Sequence, residues 1–353
     1  MILRYLKGLK IAWKNFALKF LLCVLVLTLL TQQILIISKS ENAGSTTVSN
    51  KIVSYKHSSV LEAWPEGSDL NVSSYIEIEP QFIDYPKRRH NDTEILILVT
   101  SAPENVQGRK SIRKTWGATE NQIKYKTEVN FVLGISNSIP TDLEHEIETF
   151  EDILTINVID SYMNLTLKSV FLLKYVSDIH ETHPNIKTLL KTDDDCYVNL
   201  ANLGHVSRQN QRKNTITGAL LNSNGGKRIP VNRKSNDKWF IPRWMYKSDH
   251  FPLAISGSGY LFATSIASCL YKMSLKTPIL VLEDIYVTGL LAKKCQVTLK
   301  SSLGFLYMGI QDYCDVKPDK DVVIHRIDIE KMHDRVRGVS VMNQWGFLEP
   351  LCP

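Results

Sequence analysis

The sequence predicts an α/β domain with a mainly parallel sheet flanked by helices. Short apolar runs bounded by turn residues indicate buried strands, and stretches with helical spacing separate them. Strands that alternate with helices in this way form parallel sheets with right-handed crossovers. The 353 residues, 44% of them hydrophobic, can bury a sizeable core, and no internal repeat is apparent.

The first part of the chain predicts a membrane anchor. Phe20–Ile37 are eighteen residues without a charge, and a helix of this length spans roughly 27 Å, close to the thickness of an early secretory-pathway bilayer. The basic residues before this run keep residues 1–19 in the cytoplasm and send the rest across the membrane. A cleaved signal peptide is the alternative, but no small-x-small cleavage site follows the run. We therefore predict a cytoplasmic tail at 1–19 and an uncleaved transmembrane anchor at 20–37.

The distribution of charge excludes a nucleic-acid partner. The net charge is +6, and residues 1–40 hold six Lys and Arg residues and no acidic residue. In residues 41–353 the remaining 36 Lys and Arg are balanced by 36 Asp and Glu. A protein that binds a phosphate backbone carries its basic excess on the folded domain.

Glycosylation triplets and cysteines agree with a lumenal, oxidising location. Three Asn-x-Ser/Thr triplets predict glycans at Asn71, Asn91 and Asn164. Five cysteines follow the anchor, so at least one stays unpaired, and Cys196 at a predicted strand end is the candidate free thiol. The other four can form two disulfides whose pairing stays open: Cys269, Cys295, Cys314 and Cys352. No Cys-x-x-Cys spacing is present, which argues against zinc.

A predicted stem precedes the alternating elements. Residues 38–90 are rich in Ser, Asn and Thr and show no sustained hydrophobic period; we place the folded domain at 91–353. Its elements are expected in this order: strand Glu94–Thr100, helix 105–116, strand Val129–Leu133, an acidic helix 141–150, strand Ile153–Ile159, a long amphipathic helix Tyr162–His180 and strand Ile186–Lys191.

Three consecutive carboxylates follow the fourth of these strands: Asp193, Asp194 and Asp195. Ligands of open α/β sheets bind at the carboxyl ends of the strands. Hard oxygen ligands grouped there suit Mg²⁺ or Mn²⁺ bridging to a diphosphate. A solvated acidic turn is the alternative for an isolated triplet, but here an apolar strand precedes it and Cys-Tyr-Val-Asn follows.

Six blocks carry a family resemblance. They are Arg109-x-x-Ile-Arg-x-Thr-Trp116, Phe131-Val-Leu-Gly134, Asp160-Ser-Tyr-x-Asn-Leu-Thr-x-Lys168, Lys191-Thr-Asp-Asp-Asp-Cys-Tyr-Val-Asn199, Gly257-x-Gly-Tyr260 and Glu283-Asp-Ile-Tyr-Val287. In this order they resemble the beta-1,3-galactosyltransferase family. The resemblance implies a GT-A-type, Rossmann-like fold, a UDP-sugar donor, Mn²⁺ (or Mg²⁺) as cofactor, and inversion at the anomeric carbon.

The resemblance also implies the metal ligands. Asp195 is the expected main ligand, with Asp193 and Asp194 contacting the metal, its waters or the ribose. His325 matches a late histidine of the family and is expected to complete the metal shell, although a lone histidine after an apolar run is commonly structural.

The resemblance places the catalytic base in the Glu283-Asp284 block. Asp284 is expected to take the proton from the acceptor hydroxyl, and Glu283 to position a sugar. Both begin a predicted helix, where a carboxylate that only caps the helix is the alternative.

Further residues are candidates for binding the donor. Arg109 and Arg113, four apart on a predicted helix, are expected to face the uridine diphosphate, with an ordinary surface pair as the alternative. Lys191 and Lys168 are weaker candidates for the same role, and Trp116 is equally compatible with a core position.

Other residues near these blocks have two interpretations. Asn164 is both a glycan acceptor and part of an active-site block. Glycines 257 and 259 would let the backbone approach the donor sugar. An aromatic cluster favours an acceptor platform or a core equally: Trp239, Phe240, Trp244, Tyr246 and Phe251. Leu253 and Ala254 stand where the family has bulkier residues, so the acceptor stays open.

The sequence thus predicts a Golgi membrane transferase with a lumenal catalytic domain at 91–353. It would move a hexose, galactose in the first place, from a UDP-sugar to the 3-hydroxyl of an acceptor sugar on a glycoprotein or glycolipid. N-acetylglucosamine is the alternative donor sugar. A non-catalytic, membrane-tethered sugar-binding protein is the alternative of another class, and a membrane-anchored hydrolase the third. The intact carboxylate triplet and the late Asp favour the transferase.

Overall fold

The computed structural model describes residues 80–87, 91–136, 142–221, 227–309, 315–336, 340–342 and 348–350. Its strands are β1 Phe82–Asp84, β2 Ile95–Thr100, β3 Thr127–Ile135, β4 Ile153–Ile159, β5 Thr188–Asp193, β6 Cys196–Val198, β7 Thr215–Leu221, β8 Ala254–Ala263, β9 Thr298–Ser301, β10 Phe305–Leu306, β11 Val323–His325, β12 Ser340–Met342 and β13 Leu348–Pro350. Its helices are α1 Val106–Lys114, α2 Thr119–Tyr125, α3 Leu143–Phe150, α4 Leu165–Thr182, α5 Leu200–Asn210, α6 Ala267–Ser274, α7 Ala292–Lys294 and α8 Ile329–Val336.

An eight-stranded sheet forms the core, in the order β1-β4-β3-β2-β5-β8-β7-β9. Strands β4, β3, β2 and β5 run parallel to one another, and β8 runs antiparallel to both of its neighbours. Every residue of β2 is buried, as expected for a parallel strand covered on both faces. The mixed α/β architecture with a mainly parallel centre agrees with the prediction.

Two of the predicted elements need correction. The helix expected to be amphipathic, α4, is buried around most of its circumference, because it packs against both the sheet and α6. The predicted strand Ile186–Lys191 lies two residues later, at Thr188–Asp193, because β5 stays paired with β2 as far as Thr100 and Asp193. Asp193 is therefore the last residue of the strand rather than the first of the turn.

The predicted stem boundary at residue 90 is also too late. Phe82–Asp84 form β1, which pairs with β4 at the edge of the sheet. The Phe82 ring packs against Phe171 and Tyr175 of α4. A three-residue edge strand has too short a pattern to stand out from a polar segment.

A smaller sheet brings a late part of the chain to the end of β5. Its order is β10-β11-β6, and β11 runs antiparallel to β6. In this pairing His325 lies opposite Cys196. The residue next to the carboxylate triplet and the late histidine are thus neighbours across two strands.

The cysteine pattern is partly resolved. Cys269 and Cys295 form a disulfide that links α6 to the end of α7. Cys196 is buried and forms no disulfide, which confirms the predicted free thiol. Cys314 and Cys352 lie outside the described residues.

The predicted anchor at 20–37 and Asn71 also lie outside the described residues. Among the helices that are described, none has the length and apolar character needed to cross a bilayer.

Candidate functional site

The carboxylate triplet begins at the carboxyl end of β5, where Asp193 is held by two donors. Its Oδ1 accepts hydrogen bonds from the Thr100 hydroxyl and from Lys191 Nζ. The Lys191 contact measures 2.6 Å, and the same ammonium donates to the Gly257 carbonyl at 2.7 Å. Burial alone would lower the pKa of Lys191, but the Asp193 and Glu283 carboxylates raise that pKa well above its ordinary value. Lys191 therefore stays charged at any physiological pH.

Asp194 turns towards the loop that follows β2. Its Oδ2 accepts from Asn105 Nδ2 at 2.7 Å, and its backbone N–H donates to the Thr100 carbonyl at 3.2 Å. Burial is the main reason that the pKa of Asp194 is raised, and the charges of Asp193 and Asp195 add to it. Asn105, which caps α1 through Gly108 N–H, was not singled out from the sequence. The sequence signal for Asn105 is its place at the start of a predicted helix, where asparagine is a preferred N-cap residue.

Asp195 and His325 face each other across the small sheet. His325 Nε2 lies 3.3 Å from Asp195 Oδ2, and His325 Nδ1 donates to the Tyr307 carbonyl at 2.7 Å. Because the carbonyl fixes which nitrogen points inward, Nε2 is presented to the carboxylate. Although burial opposes both shifts, their contact raises the pKa of His325 and lowers that of Asp195.

This pair is part of a potential metal-binding group. Within the described part of the chain, the ligand atoms of Asp195, Cys196 and His325 lie within 4.8 Å of one another. An acceptor nitrogen and a carboxylate at 3.3 Å need a proton or a cation between them. Burial raises the pKa of the Cys196 thiol well above its usual range, so oxygen and nitrogen are the donors offered, which suits Mn²⁺ or Mg²⁺ better than a thiophilic metal. The structure does not bring Asp193 into this group.

A second pair of carboxylates lies where the chain enters the helix that begins at Glu283. Glu283 Oε1 accepts from the buried Tyr260 hydroxyl at 2.8 Å. Asp284 Oδ1 accepts from Ile285 N–H at 2.8 Å, and the helix continues through a π-helical stretch, Ile285–Leu291, into α7. Burial, and then the charge of Glu283, raises the pKa of Asp284 to about 6.

Gly257 lies against both of these carboxylates. A β-carbon at this position would be 3.1 Å from Glu283 Oε2 and 3.9 Å from Asp284 Oδ2. Since Lys191 also donates to the Gly257 carbonyl, this glycine connects the Asp284 pair to the end of β5. The two carboxylate centres are therefore parts of one site.

Comparison with known proteins agrees with this geometry. A family model for galactosyltransferases matches residues 107–302, more than half of the chain. The chain belongs to the galactosyltransferase family. Beta-1,3-galactosyltransferase 1 of Mus musculus is 33% identical over 245 residues, which cover 68% of this chain and 72% of the relative. Beta-1,3-galactosyltransferase 2 of Mus musculus is 31% identical over 226 residues, which cover 62% of this chain and 50% of the relative.

A solved structure was also found, that of 4-diphosphocytidyl-2C-methyl-D-erythritolsynthase from Anaerococcus prevotii DSM 20548. It has a TM-score of 0.33 and 14% identity, over 60% of this chain and 87% of that chain.

The two arginines of this galactosyltransferase that were expected to face the donor are engaged elsewhere. Arg109 has no exposed surface; it forms a two-pronged pair with Glu146, at 2.8 and 2.7 Å, and also donates to Ser101 Oγ and to two carbonyls of the same loop. Arg113 pairs with Glu146 and Asp152. The prediction is wrong for Arg109, because a guanidinium enclosed in this way has no face left for a diphosphate.

The side chains of Lys168 and Asn164 form hydrogen bonds within the protein, next to the site. Lys168 is buried, and its Nζ donates to Asp160 Oδ2 at 2.6 Å and to the Ser101 carbonyl at 2.9 Å. The Asn164 side chain donates to the Ile159 carbonyl at 3.0 Å. Glycan attachment at Asn164, and at the exposed Asn91, stays a prediction.

The aromatic cluster divides into core and surface. Tyr246 and Phe251 are buried, with ring centroids 5.3 Å apart, whereas Trp239 is 51% exposed. Trp116 is buried and donates its indole N–H to the Cys196 carbonyl. Gly259 lies against Val323, since a β-carbon there would be 3.0 Å from that side chain; its approach to the donor sugar stays a prediction.

Proposed function

We propose that this protein is an inverting transferase that moves galactose from UDP-galactose to the 3-hydroxyl of an acceptor sugar and forms a β-1,3 linkage. Family membership and the galactosyltransferase relatives support galactose over N-acetylglucosamine. The observation that carries the proposal is the position of Lys191, which bonds both Asp193 of the carboxylate triplet and the Gly257 carbonyl. Asp195 of the same triplet faces His325, and Gly257 lies against Glu283 and Asp284.

Asp284 is the proposed general base. Its carboxylate is half-buried, and one of its oxygens is fixed by Ile285 N–H. With a pKa of about 6, it is ionised at neutral pH yet basic enough to take the proton of the attacking hydroxyl. Glu283 is held by Tyr260, so it keeps a fixed orientation beside the base.

Asp195 and His325 are the proposed ligands of a divalent cation, Mn²⁺ or Mg²⁺, that accompanies the donor diphosphate. When bound, such a cation neutralises the charge of the leaving group. Lys191 supplies a permanent buried positive charge beside Asp193, which offsets the repulsion within the triplet. Asn105 and Thr100 hold Asp194 and Asp193 in place.

The cellular setting is part of the proposal. We place the protein in the Golgi membrane as a single-pass type II protein, with the anchor at 20–37 and a GT-A-type catalytic domain in the lumen. Its substrates are then a UDP-sugar and a glycan carried by protein or lipid.

The test is donor turnover by the full-length protein in detergent. UDP release is measured with Mn²⁺, with UDP-galactose or UDP-N-acetylglucosamine, and with simple acceptor glycosides. We expect release from UDP-galactose that is abolished by a chelator and by Asp284→Asn, and retained in Asp178→Asn, which removes a carboxylate that pairs with Lys174 on α4. Release from UDP-N-acetylglucosamine alone would contradict the donor assignment. A folded protein that binds UDP but turns over neither donor would favour a binding protein.

A further inference from the structure

The connection between β7 and β8 concentrates positive charge in an otherwise neutral domain. Residues 227–250 contain seven basic and two acidic residues. The basic residues are Lys227, Arg228, Arg233, Lys234, Lys238, Arg243 and Lys247, and the acidic ones Asp237 and Asp249. Since residues 41–353 balance overall, the rest of that region carries a matching acidic excess. We call residues 227–250 the basic segment.

The basic segment has a defined fold. Val231 N–H donates to the Asp249 carbonyl at 2.8 Å, which closes its two ends. The Arg233 guanidinium donates to three carbonyls, those of Ile241, Tyr246 and Ser248. Arg243 pairs with Asp249. Arg233 and Arg243 thus organise the segment, while Lys234 and Lys238 are exposed on its surface.

The basic segment reaches the Asp284 site through Tyr162. Lys238 Nζ lies over the Tyr162 ring, 4.3 Å from its centroid, and the adjacent Trp239 is 51% exposed. Burial is the main cause that raises the pKa of Tyr162, and the negative charge of Asp284 is the next. The Tyr162 hydroxyl is therefore within electrostatic reach of the proposed base. Lys238 therefore lies beside Tyr162, at the part of the site that holds Asp284.

The negative charge around Asp284 determines which kind of substrate these lysines would favour. Next to the proposed base stands a second carboxylate, Glu283, and the two together repel an anionic acceptor that approaches without compensation. A cation at the rim lowers that barrier only for a substrate that carries negative charge of its own. A neutral sugar would gain nothing from Lys234 or Lys238.

We infer that the acceptor is an anionic saccharide, one whose chain carries a carboxylate or sulfate group next to the sugar that receives galactose. The inference rests on the proposed function and adds the acceptor class to it. Lys238 binds the anionic group, the exposed Lys234 of the same segment adds positive charge, and the Trp239 ring offers an apolar face to the sugar beside it. Because these lysines are exposed, the preference must weaken as salt screens it.

The experiment compares matched acceptors with the full-length protein in detergent. A neutral glycoside, its sulfated form and its uronic acid counterpart are assayed with UDP-galactose, and kcat/KM is measured at low and at raised salt. We expect an anionic acceptor to be preferred about tenfold at low salt, as two exposed ion pairs allow, and less so in salt. Comparing kcat/KM for the sulfated glycoside with that for the uronic acid shows whether a sulfate or a carboxylate is the preferred anionic group.

A double variant, Lys234→Gln with Lys238→Gln, tests the residues. It should reduce kcat/KM for the anionic acceptor more than for the neutral one, whereas Lys174→Gln on α4 should keep the wild-type ratio. Equal use of neutral and anionic acceptors by the wild type would overturn the inference and leave the proposed function intact.

Binding measured by calorimetry, with UDP and Mn²⁺ present, separates the inference from turnover. Tighter binding of the sulfated or uronic acid saccharide than of the neutral one, lost in the double variant, supports the inference even if no galactose is transferred. Equal binding of the three saccharides overturns it. Binding of the wild type, but not the double variant, to phosphatidylserine vesicles without any saccharide preference would assign the segment to a membrane surface and also overturn it.

Discussion

The Tyr260 hydroxyl donates a hydrogen bond to Glu283 Oε1 at 2.8 Å, inside the core. Tyr260 lies on β8, and Glu283 begins the helix that follows α6. This bond therefore connects the region of the proposed base to the central sheet. Glu283 in turn raises the pKa of the neighbouring Asp284. The bond therefore fixes the orientation of the carboxylate whose charge raises the pKa of the proposed base.

Tyr260→Phe should lower kcat while the protein remains folded. The change leaves the buried Glu283 oxygen without its donor, which costs about 1–3 kcal/mol, and frees Glu283 to move beside Asp284. Tyr286→Phe is the matched control, since the Tyr286 hydroxyl is also buried and donates to the Ser274 and Thr277 carbonyls. Urea unfolding and steady-state kinetics should show similar losses of stability in both variants and a loss of kcat in Tyr260→Phe alone. Equal kcat values for the two variants would contradict the positioning role.

Sequence patterns predicted the fold better than they predicted the partners of the charged residues. Strands β2 to β5 contain apolar runs that are long enough to predict a strand from the local sequence alone. The triplet begins at the end of the last of these strands, and ligands of open α/β sheets bind at the carboxyl ends of strands, so its place in the site was also predictable. Arg109, in contrast, meets a carboxylate 37 positions away, and no local pattern distinguishes an arginine that pairs internally from one that awaits a phosphate. The same holds for Tyr260 and Glu283, 23 positions apart.

The acid limb of the activity profile should report Asp284. Its pKa is raised to about 6, so the proton leaves only as the pH rises through that value, and kcat/KM should fall as the pH drops below it. The sign for stability is opposite: the folded state holds this proton more tightly than the unfolded chain, so its contribution to stability is lost as the pH rises to about 6. Glu283→Gln removes the neighbouring negative charge and should move the acid limb to lower pH in whatever activity remains. An acid limb that stays in place would mean that another group titrates.

Gly257→Ala should reduce kcat by about tenfold to a hundredfold, the cost of displacing a catalytic group by up to an ångström. The added methyl would be 3.1 Å from Glu283 Oε2, and Glu283 cannot swing aside without breaking its bond to Tyr260. Gly204→Ala on α5 is the control, since its methyl would meet only the end of the Arg208 side chain at 3.4 Å and should favour the helix. If Gly257→Ala had wild-type kcat, the close approach of this backbone would not matter for the base.

His325→Gln should raise the Mn²⁺ concentration needed for half-maximal activity by at least about tenfold, because it removes the nitrogen that faces Asp195 at 3.3 Å. Excess Mn²⁺ should restore part of the activity. His145→Gln, at an exposed position of α3, should leave the metal titration unchanged. A titration curve for His325→Gln that superposes on that of the wild type would remove this histidine from the metal shell.

Arg109→Met should destabilise the protein by about 3 kcal/mol or more, because it leaves a buried carboxylate with part of its charge uncompensated. Glu146 would keep only Arg113 as a partner, and the loop after β2 would lose the guanidinium that binds Ser101 Oγ and the Ala102 and Pro103 carbonyls. Arg208→Met, on the exposed side of α5, should change the free energy of unfolding little.

The same substitution distinguishes a structural role for Arg109 from a role in binding the donor. If Arg109 acts only through the loop, the fraction of Arg109→Met that remains folded at low temperature should bind UDP with close to wild-type affinity, as measured by calorimetry. A large loss of UDP affinity in a variant of unchanged stability would instead show that Arg109 takes part in binding the donor. The enclosed geometry, with no exposed surface on Arg109, favours the first result.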